Sequence, residues 1–201
     1  MGSESTESSL LVRVRDPGDD QAWRAFDRKY RQLILRYCRG RGLQQSDAED
    51  VRQVVMLSLS RSLRKFTYRP EMGRFRDYLM RVVKNAIFRS LSRPRAAAGV
   101  LDLDELESLP SLEPCETDGD WEREWMNHHY RVAMETVRAT HEDRSVRMFE
   151  ELLDDQSVRE VARRHGTTEQ AVHKVKQRIK RRLQELIAVQ IREEEFPEHR
   201  R

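Results

Sequence analysis

Three groups of side chains in this chain have types and spacings that could do chemistry. In the first, Glu169, Gln170, His173, Lys174, Gln177 and Arg178 recur every three or four residues. That spacing places them on one side of a helix. Such side chains suit base edges in a major groove: Gln pairs with adenine, Lys or Arg with guanine, and Glu with cytosine. Lys176, Lys180, Arg181 and Arg182 supply charge for phosphates, which adds affinity but little specificity.

In the second group, Phe66, Tyr68, Phe75 and Tyr78 are interleaved with Arg64, Lys65, Arg69, Arg74 and Arg76. Aromatic rings among cations suit unstacked bases, which stack on the rings while the backbone meets positive charge. Core aromatics beside a solvated basic face would give the same pattern, and Phe75 and Tyr78 are expected in the core. The third group is the carboxylates Asp47, Glu49 and Asp50. Three acids could suggest a metal or acid–base site. They fall in the first turn of a helix, however, where acids favour the positive end of the macrodipole. An exposed acidic surface that meets a basic partner fits them better than catalysis.

Other reactive residues form no set. The six histidines are scattered, and Cys38 and Cys115 lie far apart without the short spacings of a zinc site. There is no glycine-rich phosphate loop and no nucleophile elbow. The expectation is a non-enzyme without cofactor or metal.

The elements that position these groups are helical. After the turn Asp16-Pro17-Gly18-Asp19, the residues Trp23, Phe26, Tyr30, Leu33, Ile34 and Tyr37 form an apolar stripe, which should end near Gly40 or Gly42. Ser46 and Glu49 read as a capping box for a second helix, with Val51, Val54, Val55, Leu59 and Leu63 inward. A loop over 66–73 leads to a third helix from Phe75, with Tyr78, Leu79, Val82, Val83, Ala86 and Ile87 inward and Arg81, Lys84 and Arg89 on the wetter side. Pattern then disappears from Ser92 to Asp120, where prolines and acids predict a flexible linker. A second helical block starts near Trp121. It ends in a helix-turn-helix, in which Ser157 caps a short helix and Gly166 supplies the turn. Thr167 or Thr168 caps the next helix, which buries Val172, Val175, Ile179 and Leu183.

The fold class expected is all-α, with two small helical domains joined by a flexible acidic linker and a helix-turn-helix in the C-terminal one. The divisions are a disordered 1–9, a domain over 10–92, a linker over 93–120, a domain over 121–190 and a tail over 191–201. The 201 residues carry a net charge of only +3, but the charge is in blocks. Bases dominate from Arg61 to Arg95 and from Lys174 to Arg182, and acids dominate from Asp102 to Glu124. No run approaches the roughly 18 apolar residues of a membrane span, and the polar N-terminus is no secretion signal, so a cytoplasmic protein is expected.

Two stretches resemble a known family. Asp47-Ala-Glu-Asp-Val-Arg-Gln53, Phe66, Arg69-Pro70, Gly73-Arg-Phe-Arg-Asp-Tyr-Leu79 and Arg81-Val-Val-Lys-Asn85 are similar to the first domain of extracytoplasmic-function sigma factors. These are small two-domain members of the sigma-70 family. Residues 156–186 resemble their second domain, which reads the promoter −35 element. The resemblance implies a promoter-specificity factor that binds core RNA polymerase and aids strand opening. On it, Asp47, Asp50 and Gln53 would bind the polymerase. Phe66, Tyr68, Arg74, Arg76, Arg81, Lys84 and Asn85 would open and read the −10 DNA. Thr168, Glu169, Gln170, His173, Lys174, Gln177, Arg178 and Arg181 would meet the −35 duplex. The acidic linker would thread toward the polymerase active-site channel, and the family admits an anti-sigma factor as a further partner. Two positions depart from the family's habit: Val54 follows Gln53 where Glu is frequent, and Arg89 replaces an acid, which makes the DNA face more basic. The competing readings are a helix-turn-helix regulator that binds an operator without polymerase, and a helical adaptor whose basic faces bind acidic partners.

Overall fold

A computed structural model describes residues 10–63, 74–92 and 118–195. Phe66 and Tyr68, most of the acidic linker, the first nine residues and the last six lie outside the described residues. Every regular element among those described is an α-helix: α1 Leu10–Arg13, α2 Asp20–Gly40, α3 Gln45–Ser62, α4 Phe75–Ser92, α5 Gly119–Thr140, α6 Asp143–Leu153, α7 Val158–Arg164 and α8 Glu169–Glu195. The chain divides into two compact units, residues 1–125 with 193–201, and residues 126–192.

The first unit is built on the stripe expected for α2. Phe26, Tyr30, Leu33, Ile34 and Tyr37 are buried, together with Ala22, Leu35 and Cys38, while Trp23 is half-buried. Asp19 caps the helix by accepting from the Ala22 N–H at 2.9 Å, and α2 stops where Gly42 turns with φ +89°. Val51, Val55 and Leu59 of α3 and Phe75, Leu79 and Val83 of α4 close the core. Phe75 lies edge-on to Phe26, with centroids 6.1 Å apart, and 5.6 Å from Tyr30, a range in which aromatic pairs gain energy beyond their buried area. Cys38 is fully buried here, and that burial pushes its thiol up to about 12.

Three features differ from the sequence expectation. Helix α3 starts at Gln45 with Gln44 as its cap residue, and no side chain caps it. Ser46 therefore lies inside the first turn. Its expected partner Glu49 instead accepts from Arg31 at 2.6 Å and Arg52 at 2.8 Å, since a carboxylate gains more from two guanidinium groups than from a backbone N–H. These two bonds lower the Glu49 pKa, Arg52 more than Arg31. Second, Trp121, expected at the start of the second block, packs in the first core, together with Trp125 one turn further on. Trp121 meets Tyr37 edge-on at 5.0 Å, and Trp125 stacks on Tyr30 at 6.3 Å. Third, α8 continues into the stretch expected as a tail. Glu194 near its end is buried in the first unit, where it accepts from Tyr30 Oη at 2.6 Å and pairs with Lys29 at 2.8 Å.

The second unit has two apolar clusters. Ala133, Met134 and Val137 of α5 meet Val146 and Phe149 of α6 and Ile179 and Leu183 of α8. Met148 of α6, Val161 and Ala162 of α7 and Val172 of α8 form the other. Helix α7 has a complete capping box: the Ser157 hydroxyl accepts from the Glu160 N–H, and the Glu160 carboxylate accepts from the Ser157 N–H. Gly166 turns the chain with φ +56°, a conformation that costs a residue with a Cβ about 1–2 kcal/mol. The Thr168 hydroxyl then accepts from the Ala171 N–H at 3.2 Å and caps α8. Ser157→Ala removes the hydroxyl that accepts from the Glu160 N–H, while the backbone N–H at position 157 can still donate to the Glu160 carboxylate. The change should lower the stability of this unit by about 0.5–2 kcal/mol, measured as a shift in the urea midpoint with unchanged m-value. An unchanged midpoint would show that the hydroxyl's half of the box contributes nothing.

Candidate nucleic-acid interface

The side chains singled out by sequence fall on three helical faces. On α3, Asp50 and Gln53 are exposed and Asp47 is half-buried. The i, i+3 and i+6 spacing spreads these three around about a third of the helix circumference. Leu57, 43% exposed, continues the line of Asp50 and Gln53 one turn further. The face is acidic and amide-bearing with an apolar end, and it leaves out Glu49, which is turned toward Arg31 and Arg52.

The second face is on α4. Arg81, Lys84 and Asn85 are half-exposed on the side opposite the buried stripe, Arg74 is exposed just before the helix, and Arg76 is in its first turn. Further along the same side, Phe88 is 71% exposed. Two cations of this face are paired with carboxylates. Lys84 Nζ lies 3.0 Å from Asp118 Oδ2, and Arg76 Nη1 lies 2.7 Å from Glu122 Oε2.

Asp118 is the centre of this arrangement. Its side chain is 8% exposed. One oxygen accepts from Tyr37 Oη at 2.7 Å, from Arg41 and from Lys84, and the other accepts from the Asp120 and Trp121 N–H groups at 3.0 and 3.2 Å. The carboxylate thus caps α5 while joining it to α2 and α4. Burial by itself would raise its pKa. The bonds from Tyr37, Lys84 and the Trp121 N–H outweigh burial and hold the group well below the usual carboxylate range. Neither Asp118 nor Glu122 is distinguished in sequence from the other acids of the block over 102–124. Apart from the two N–H groups that Asp118 caps, their partners lie 34 or more residues away in the chain, so no local pattern exposes those pairings.

The third face is on α8. Glu169, Gln170, His173, Lys174, Gln177, Arg178 and Arg181 are exposed, as is Thr168 before the helix, and Val172, Ile179 and Leu183 are buried beneath them. The residues expected to face a duplex are therefore brought to one surface of a helix whose start is fixed by Gly166 and Thr168. Arg178 is tethered, since its guanidinium donates to the buried Ser145 Oγ of α6 at 3.1 Å. Among the described residues, no helix is long and apolar enough to cross a membrane.

The matched segment coincides with the first two faces. Residues 26–96, from Phe26 of α2 to just beyond α4, match the family model described as Sigma-70 region 2. No curated protein matches the chain.

Proposed function

We propose that this chain, which belongs to the sigma-70 family through its region 2 domain, is a small two-domain factor of the extracytoplasmic-function type. A sigma factor is not an enzyme; its role is promoter recognition with RNA polymerase. The observation that carries the finer reading is the division of surfaces. The acid and amide face of α3 and the basic face of α4 lie within the matched segment, and a separate basic helix, α8, follows a short capped helix and a glycine turn.

In this reading Asp47, Asp50 and Gln53 hold core polymerase. Arg74, Arg76, Arg81, Lys84 and Asn85, with Phe66 and Tyr68 in the preceding loop, engage the −10 strand. Thr168, Glu169, Gln170, His173, Lys174, Gln177, Arg178 and Arg181 engage the −35 duplex. Cations brace phosphates, and the side chains at the start of α8 read base edges. Strand opening costs a few kcal/mol per unstacked step, which single-strand contacts and the upstream duplex anchor together offset. The protein works in the cytoplasm with its polymerase, and an anti-sigma factor is a further partner that fits.

The two faces of the first unit predict separable defects. Asp50→Ala is expected to weaken association with core polymerase first. The double change Arg81→Ala and Lys84→Ala is expected to leave core association intact while reducing permanganate reactivity of the −10 thymines on a promoter found by in vitro transcription of genomic fragments. Equal loss of both steps in every variant would refute the division. Absence of core association, together with tight binding to isolated duplex, would describe a stand-alone regulator instead.

A further inference from the structure

Two cations of the α4 face are occupied by carboxylates from a single short stretch. Lys84 is paired with Asp118 and Arg76 with Glu122, and the stretch is anchored by Trp121 and Trp125 in the first core. The anchoring is far stronger than either ion pair. If Lys84 turned away, Asp118 would keep Tyr37, Arg41 and two backbone N–H groups. If Arg76 turned away, it would keep Asp77, 3.4 Å from its Nε. Each cation can therefore exchange its carboxylate for another anion without unpacking the helix that presents it. A carboxylate and a DNA phosphate offer a guanidinium or ammonium group the same chemistry, negative oxygens at hydrogen-bond distance.

We propose that Asp118 and Glu122 compete with the phosphates of single-stranded DNA for Lys84 and Arg76, so that the chain masks part of its own −10 face. The inference rests on the assignment of that face to DNA. It adds a built-in attenuator: the first anions to meet these cations are the protein's own, and DNA must displace them.

The test uses the full chain and a short fluorescein-labelled single strand of mixed sequence, with affinity read by anisotropy over a range of salt. Asp118→Asn with Glu122→Gln removes both charges. Asparagine retains capping ability, so α5 keeps its start. A control pair, Asp143→Asn with Glu135→Gln, changes net charge equally at exposed positions of the second unit. Releasing two part-exposed cations from their carboxylates should tighten binding roughly threefold to tenfold relative to that control. It should also steepen the slope of log affinity against log salt by about 0.7 for each cation freed. Glu122→Gln alone, whose carboxylate is outside the core, should give part of the gain without any effect on folding. Binding no tighter than the control overturns the inference. Adding Arg76→Ala and Lys84→Ala to the carboxylate variant separates the two levels. If those changes abolish binding while the carboxylate changes never strengthened it, only the masking fails. If they have no effect in any background, the DNA assignment of the face fails with it.

Discussion

Trp121→Ala is expected to destabilise the first unit by about 3–5 kcal/mol, the range for emptying a buried aromatic site. Trp121 has no exposed surface and is among the largest fully buried side chains of the described residues. Its ring meets Tyr37 and Trp125, with centroids 5.0 and 6.0 Å away, so removal leaves a cavity between residues distant in the chain. Guanidinium unfolding followed by far-UV circular dichroism measures the loss. Trp23→Ala is the internal comparison. Trp23 is only half-buried at the edge of the same core, and its loss should cost clearly less. Trp121→Phe should recover most of the stability. The indole N–H has no hydrogen-bond partner among the described residues, so phenylalanine forfeits volume but no polar bond. A Trp121→Ala variant as stable as Trp23→Ala would mean that α5 does not belong to this core.

Asp118→Ala should rank next, at about 2–3 kcal/mol, because it removes a helix cap and leaves charged and hydroxyl donors without their acceptor. This loss carries a pH signature. The folded pKa of Asp118 is depressed, chiefly by Tyr37 and Lys84 against the opposing effect of burial. Its contribution is therefore fully present above the unfolded value of about 4. The contribution fades as pH falls below that value toward the folded pKa. The stability gap between wild type and Asp118→Ala should be constant above about pH 5 and shrink below about pH 4. Glu49, Glu151, Glu160 and Asp19 also have lowered pKa values, but they are common to both proteins and cancel in the difference. A gap independent of pH down to about 3 would refute the ionic role of this carboxylate.

Legibility in the sequence follows the range of the interactions. The short helix, turn and long helix at the C-terminal end are readable because Ser157, Gly166 and Thr168 act on neighbours within about one turn, and because Val172, Val175, Ile179 and Leu183 keep helical spacing. Glu160, three residues after Ser157, fits the same capping rule as Ser46 and Glu49. At Ser46 the box does not form, because Arg31, on another helix, competes for Glu49 together with Arg52. Periodicity identified Tyr30, Tyr37 and Phe75 as inward-facing, but it cannot say what an inward face meets. Trp121 marks the start of a helix as expected, but the core that it enters is the first one. The same limit applies to the basic face. Sequence shows that Arg76 and Lys84 are cations among cations, and only the folded chain shows that Glu122 and Asp118 already neutralise them.

Cys38 gives the first unit a different kind of vulnerability. The reacting form of cysteine is the thiolate, and this thiol is buried with its ionisation strongly suppressed. Oxidants and electrophiles therefore meet it only in molecules that have already opened. The α2 face is closely packed, with Leu33, Ile34 and Tyr37 beside Cys38, so a sulfinic acid or an adduct has no room to return. Opening that would otherwise reverse becomes a one-way step. Under oxidative stress the lifetime of this protein is then set by how often its first core opens, rather than by how stable the closed form is on average.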